Sequence, residues 1–284
     1  MPSARRPRYG SLQFWPRKRV RKALPSVNWI PVSRINKEEG ILGFIGYKAG
    51  MATAIVKDNI DKSMTKGKKI AIPVTILEVP NMKIFSARFY KNGKVMTEIV
   101  LDNKDKELKR KIKLPKEIKK LDNIEGYDDI KVIVYSLVNQ TNIKKTPDII
   151  ELALNYNDKL AFVKNYAGKE ISLADVLKWN LVDVRGLTKG KGMQGAVKRF
   201  GIKLKQHKSE KGRRRPGSLG PWHPARVTFH APMAGQLGLF TRVHYNLKVI
   251  DSGNVKEKNI NKKEGFKNYG PIKGNYIILA GSVQ

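Results

Sequence analysis

Short apolar runs rich in β-branched residues, bounded by Gly, Lys or Pro, dominate the chain, and they predict strands rather than helices. Ile41 to Tyr47 (ILGFIGY), Ala52 to Val56 and Ile70 to Val79 (IAIPVTILEV) open a small β-rich core. Ile84 to Val100 is mixed, with a turn predicted at Asn92-Gly93, and Lys131 to Val138 (KVIVYSLV) and Ile149 to Leu154 are again strand-like. Ser172 to Trp179 is a short helix candidate, with Ser172 as N-cap and Asp175 as the capping-box carboxylate. Leu181 to Val184 returns to strand. From Thr188 to Gly220 no apolar periodicity survives, and a structureless stretch of roughly 30 residues inside a compact domain is normally functional or disordered. Arg226 to His230, Val243 to Ile250 and Tyr276 to Ala280 are predicted strands that rejoin the first set. The pattern therefore predicts a β-barrel interrupted by an inserted region, about 81–175, and by one long loop.

Charge changes the picture most. The 284 residues hold 57 Lys and Arg against 24 Asp and Glu, a formal charge of +33. A compact isolated protein would repel itself at that charge, so a polyanionic partner is expected. The charge is also concentrated. Arg5, Arg6, Arg8, Arg17, Lys18, Arg19, Arg21 and Lys22 form an N-terminal arm without an acidic residue. Arg185, Lys189, Lys191, Lys198, Arg199, Lys203, Lys205, Lys208, Lys211, Arg213, Arg214, Arg215 and Arg226 face only Glu210 in the long loop. These two segments contain +20 of the +33. Lys104 to Lys120 differs, because Asp105, Glu107 and Glu117 interleave its lysines; that run is predicted to be an exposed surface.

The arm and the loop combine Arg with Gly and aromatics, which points to RNA. Guanidinium groups fork onto phosphates and stack on bases, and Gly lets backbone approach a phosphate. Gly190, Gly192 and Gly195 either make turns or permit that approach. Trp15, among arginines, either stacks on a base or anchors the arm. Trp222 is either a core tryptophan of a small domain or part of an extended turn, and Gly220, Pro221 and Pro224 beside it suit the extended form better than a packed strand. Trp29 and Trp179 are assigned to packing.

Catalytic chemistry finds no support in the motifs. GLTKGK (Gly186 to Lys191) lacks the spacing and the hydroxyl of a nucleotide phosphate-binding loop. His207, His223, His230 and His244 lack metal-ligand spacing, and the chain has no Cys to join them. No nucleophile elbow occurs, and the carboxylates are scattered among lysines. The expectation is no catalytic residue, no metal, no cofactor and no small-molecule substrate. No apolar stretch follows the basic start of the chain, and none approaches the ~18 residues of a spanning helix, so neither secretion nor membrane insertion is expected.

The strings VDVRGLTKGKGMQGAVKRFG (Val182 to Gly201), RRRPGSLGPWHPARV (Arg213 to Val227) and AGQLGLFTRVHYN (Ala234 to Asn246) resemble the universal large-subunit ribosomal protein L-three family in its archaeal form. RPRYGSLQFWPRKR (Arg6 to Arg19), GFIGYKAGM (Gly43 to Met51), KKTPDIIE (Lys144 to Glu151) and NYGPIKGNYIILAGSV (Asn268 to Val283) agree with it, in order along almost the whole chain. Two departures stand out. Leu239 precedes Phe240 where the family usually has an aromatic directly after A-G-Q-x-G, and the sequence stops at Gln284 where the family continues with a basic segment.

The resemblance implies a mainly β fold with an α/β insertion: a split β-barrel of translation-protein type with a long basic loop and an extended arm. The implied organisation is a basic extension over 1–35, a barrel body over 36–80 and 176–284 with the loop at about 186–226, and an inserted lobe over 81–175. It further implies a structural constituent of the cytoplasmic ribosome that binds large-subunit rRNA, touches neighbouring large-subunit proteins, aids assembly and sends its loop toward the peptidyl transferase centre. Trp222 would be the tip aromatic, His223 and Pro224 would shape the turn, and His207 would lie among rRNA. The arm and loop cations, with Gly190, Gly192, Gln194 and Trp15, would contact rRNA. From charge alone, a free-standing RNA-binding protein or RNA chaperone is the alternative. An RNA-modifying enzyme would need a cofactor pocket and a catalytic residue that the sequence does not offer.

Overall fold

The computed structural model describes residues 11–36, 38–101, 105–115, 121 and 124–284. The protein is β-rich, with antiparallel sheets and few, short helices. It divides into two compact units: one contains the described part of Met1–Pro25 with Arg185–Val243 and Gln284, and the other contains Ser26–Val184 and His244–Val283.

The larger unit contains a five-stranded sheet in the order β1-β7-β6-β4-β5: β1 (Gly40–Ile41), β4 (Met82–Lys91), β5 (Lys94–Val100), β6 (Asp129–Ser136) and β7 (Ile149–Asn155). β4 and β6 are buried along most of their length, polar positions such as Ser86 and Ser136 included. Helix α2 (Lys159–Tyr166) packs on β4 and β6. Phe85, Ile133 and Tyr135 form a second cluster with Leu108, Ile112 and Leu114. Asn92 and Gly93 both take positive φ, 49° and 74°, which is the two-residue hairpin turn that Asn-Gly favours. Trp29, in α1 (Trp29–Ile35), is buried and donates its indole N–H to the Glu151 carbonyl at 3.1 Å.

A second five-stranded sheet runs β2-β3-β12-β11-β8: β2 (Tyr47–Lys57), β3 (Lys69–Val79), β8 (Leu181–Leu187), β11 (Thr241–Asn254) and β12 (Asn275–Ala280). β2 and β3 pair along their length from Tyr47↔Glu78 to Lys57↔Lys69, with a register shift between Lys48 and Gly50. Helix α3 (Leu173–Val176) starts at a capping box in which Asp175 accepts from the Ser172 backbone N–H at 2.8 Å. Tyr47 donates to Asp148 at 2.6 Å, and burial raises its pKa above the usual phenol value.

Three expectations need correction. Arg226 to His230 is not a strand; all five residues are exposed and lie outside any helix or strand. Ile41 to Tyr47 is strand only at its two ends; Leu42 N–H still donates to Ala153 O at 3.1 Å, but residues 42–46 belong to no strand, and a Cβ on Gly43 would lie 2.9 Å from the Trp29 ring. The described part of 104–120 is not wholly surface, since Leu108 is fully buried. The rest of that run, and of the lysines in it, lies outside the described residues.

Two polar devices fix the larger unit. Glu78 is fully buried on β3 and accepts from Tyr269 Oη at 2.6 Å and from the backbone N–H groups of Lys273 and Gly274 at 2.8 and 3.2 Å. Burial and the Glu78 carboxylate push the Tyr269 hydroxyl well above its usual pKa. Asp58, after β2, accepts from Ser63 Oγ and Thr65 Oγ1, both at 2.6 Å, and from the Ile60 N–H at 3.0 Å. These bonds, the Ser63 hydroxyl first, pull its carboxyl down to about 2.

Glu78→Ala orphans two backbone donors and a tyrosine hydroxyl, so it should cost on the order of 3 kcal/mol, read as a lower urea midpoint at unchanged m-value. For Asp58 the folded pKa lies below the ordinary aspartate value of roughly 3.9. Its contribution is therefore complete above that value and is lost as pH falls toward about 2. In that window, amide exchange at Ile60 and Gly67 should accelerate before exchange in the centre of β3.

Candidate nucleic-acid interface

The smaller unit has little apolar material, and hydrogen bonds organise it. At the base of the long loop, Thr188 to Gln194 runs beside Gly235 to Phe240. Thr188 N–H donates to the Phe240 carbonyl and Leu239 N–H to the Thr188 carbonyl, both at 3.0 Å. Lys191 N–H donates to Leu237 and Leu237 N–H to Gly192, both at 2.9 Å, and β9 (Met193–Gln194) pairs with β10 (Gly235–Gln236). Gly238 must be glycine here, because it sits at φ 78° and a Cβ would fall 2.0 Å from the Lys189 carbonyl oxygen. Gly190 packs against the Leu239 side chain, Gly192 adopts φ 63° in open space, and Gly195 is the N-cap of α4 (Ala196–Phe200). Leu239, at φ 52°, is part of this ribbon and accepts the Val20 N–H at 3.1 Å, so the departure from the family pattern falls on a packed position.

Arg199 ties the pieces together. Its Nε donates to Gln236 O at 2.9 Å, its Nη1 to Met233 O at 2.9 Å and its Nη2 to Arg17 O at 2.8 Å. Arg17 returns the bond, Nη1 to Arg199 O at 2.7 Å. Burial among these carbonyls lowers the Arg199 pKa from its usual value, although a guanidinium stays charged. Both guanidinium carbons lie over the Phe200 ring, at 4.3 Å for Arg17 and 5.1 Å for Arg199. Trp15 sits 5.4 Å from Phe200 and 5.2 Å from His230, and donates its indole N–H to Phe229 O at 3.1 Å. Of the two roles open to Trp15, anchoring the arm is the one its contacts serve.

The remaining loop cations point outward. Lys189, Lys191, Lys198, Lys203, Lys205, Lys208, Lys211, Arg213, Arg214, Arg215 and Arg226 are exposed, as are Lys18, Arg19, Arg21 and Lys22 on the arm; Arg185 is half-buried. Arg5, Arg6 and Arg8 lie outside the described residues. Gln194 is half-buried and donates to the Lys191 carbonyl at 2.7 Å. Lys205 and Arg213 are bonded across a turn that exposes His207 and Lys208. Further on, Thr228 N–H closes a turn onto Leu219 O at 3.0 Å, and Gly220 fits only because a Cβ would lie 2.6 Å from the Arg226 carbonyl oxygen. Trp222 stands in this turn 83% exposed, with His223 beside it.

Charge and spacing missed two features. Phe229 is exposed next to Trp15, and Arg199 faces inward while Lys198 beside it faces out. Only the aromatic content of residues 222–230 could have flagged the first. No group of His, Cys, Asp or Glu able to hold a metal occurs among the described residues, and no described helix is long and apolar enough to cross a membrane.

Fold and surface together define a β-rich protein with a body unit and an acid-poor, cation-studded unit that displays the exposed Trp222 ring in a turn. The sequence matches the family model for ribosomal protein L3 over residues 1–120 and 85–284, and the chain belongs to that family. It is 40% identical to the large ribosomal subunit protein uL3 of Methanococcus aeolicus over 98% of this chain and 87% of that protein. The uL3 proteins of Methanocaldococcus jannaschii and Methanobrevibacter smithii are 38% and 39% identical, each over 98% of this chain and over 88% and 87% of their own lengths.

Lysine keeps the charge of Arg199 but cannot reach three carbonyls. In the full-length Arg199→Lys protein, cleavage by trypsin between Arg17 and Lys22 should therefore speed up relative to wild type. The lost charge-assisted bonds should lower stability by roughly 1.5–3 kcal/mol. Unchanged cleavage kinetics would remove the anchoring role.

Proposed function

We propose that this chain is a structural constituent of the large subunit of the cytoplasmic ribosome, binding large-subunit rRNA and performing no catalysis. The observation that carries this reading is the outward row of loop cations, from Lys189 to Arg226, which has only Glu210 as an acidic neighbour in sequence. Cations so placed repel one another unless phosphates lie between them. Arm and loop would enter folded RNA together, since Arg199 and Trp15 hold them as one piece before any partner arrives. Arg17 and Arg199 contribute charge to that piece but spend guanidinium donors internally.

In this reading residues 1–35 form the extension, 36–80 and 176–284 the body and 81–175 the inserted lobe, with neighbouring large-subunit proteins meeting the body. The Trp222 turn points toward the peptidyl transferase region. Its 83% exposed ring is available for stacking on an unpaired base, and His223 and Arg226 flank it. With ~7 phosphates neutralised, affinity for rRNA falls on the order of a thousandfold or more between 50 and 200 mM salt.

Gradient sedimentation of a lysate tests the assignment: the protein should run with large subunits, and a substantial free pool at physiological salt would refute it. Trp222→Ala should leave incorporation intact while changing translation rate or sensitivity to ligands of the catalytic centre; wild-type behaviour in both would remove the tip role. Replacing Arg213, Arg214 and Arg215 with Ala should instead weaken assembly, and more so as salt rises.

A further inference from the structure

We propose that the end of the β2–β3 hairpin, residues 57–69, is a second RNA-phosphate contact, on the body and separate from the arm and loop. This rests on the reading above that the partner is large-subunit rRNA. The segment contains five lysines, Lys57, Lys62, Lys66, Lys68 and Lys69, and two acids, Asp58 and Asp61. Neither acid pairs with Lys57, Lys62, Lys68 or Lys69. The Asp58 carboxylate is taken up by Ser63, Thr65 and the Ile60 N–H, and Asp61 pairs with Lys66 at 2.7 Å. Among the described residues, Lys57, Lys62, Lys68 and Lys69 form no ion pair, and all four are exposed.

Their arrangement is costly in isolation. Lys57 and Lys69 are register partners at the last position of the ladder, and like charges directly opposite one another destabilise a strand pair. The loop that follows is not loose chain. Asp58 N–H donates to Lys68 O at 3.0 Å and Gly67 N–H to Asp58 O at 2.7 Å, while Ser63 and Lys68 close further turns. An inward carboxylate thus builds a platform that presents the lysines outward and raises Met64, 96% exposed, beside them. Protein interfaces are depleted in Lys and have an apolar centre; this surface is rich in Lys and offers one methionine. A polyphosphate chain is the partner that relieves the Lys57–Lys69 repulsion.

Lysine acylation with mass-spectrometric readout tests this on the full-length chain free, bound to deproteinised large-subunit rRNA, and in intact large subunits. Lys57, Lys62, Lys68 and Lys69 should react in the free chain and be protected several-fold both by rRNA alone and in subunits. Protection in subunits but not by rRNA alone would mean a protein partner and would overturn the inference, as would equal reactivity in all three states. Lys189 and Lys191 are the internal reference. If they are protected while the hairpin reacts, only this second site fails; if they too remain reactive, the underlying rRNA reading fails. In the double variant Lys57→Gln/Lys69→Gln the free protein should melt at a higher temperature, and the salt slope of rRNA binding should shrink by about one to two. A lower melting temperature with an unchanged slope would also overturn it.

Discussion

Residues 185–243 and the arm have too little apolar surface to be organised by burial, so their backbone is organised by hydrogen bonds, above all those of one guanidinium. Arg199 donates to carbonyls from the arm and from two points on the returning limb of the loop. An arginine does this well because its planar fork presents five donors in fixed directions and needs no acid to balance it nearby. The reciprocal bond from Arg17 and the shared Phe200 face let two cations sit close together, where bare proximity would repel. Arg199 thus joins the arm to the returning limb of the loop from which outward cations such as Lys198 project.

The body solves the opposite problem. Its sheets bury enough apolar surface to fold, and its charged groups are used as clips. Glu78 gathers a tyrosine hydroxyl and two backbone amides, and Asp58 gathers two hydroxyls and an amide. Both carboxylates are turned toward neutral donors rather than lysines. These two acids are thereby spent on architecture, while others, Asp61, Asp129 and Asp251 among them, pair with lysines.

Much of the body was legible in advance. β-branched runs marked β3, β6, β7 and β12 to within a few residues, because a strand's side-chain pattern is local. Asn92-Gly93 announced its own turn, and Ser172 with Asp175 its own helix start, since both devices are complete within four residues. The failures share a cause. Arg226 to His230 alternates like a strand but joins no sheet among the described residues, Leu108 sits in a charged run yet reaches a core cluster, and Gly43 lies outside the strands, against the Trp29 ring. Each outcome was decided by a residue distant in sequence.

The candidate interface divides in the same way. Charge is additive along a chain, so the acid-poor arm and loop, their preference for a polyanion and the family motifs were all determined by sequence. Which cations face outward is not additive. Arg199 and Lys198 are neighbours in sequence, but only the fold, by bringing Arg17, Met233 and Gln236 around one side chain, turns the first toward carbonyls and leaves the second in water. The Lys57–Lys69 pair likewise exists only once the β2–β3 register is set, because opposition across a ladder is a property of two strands and not of either one.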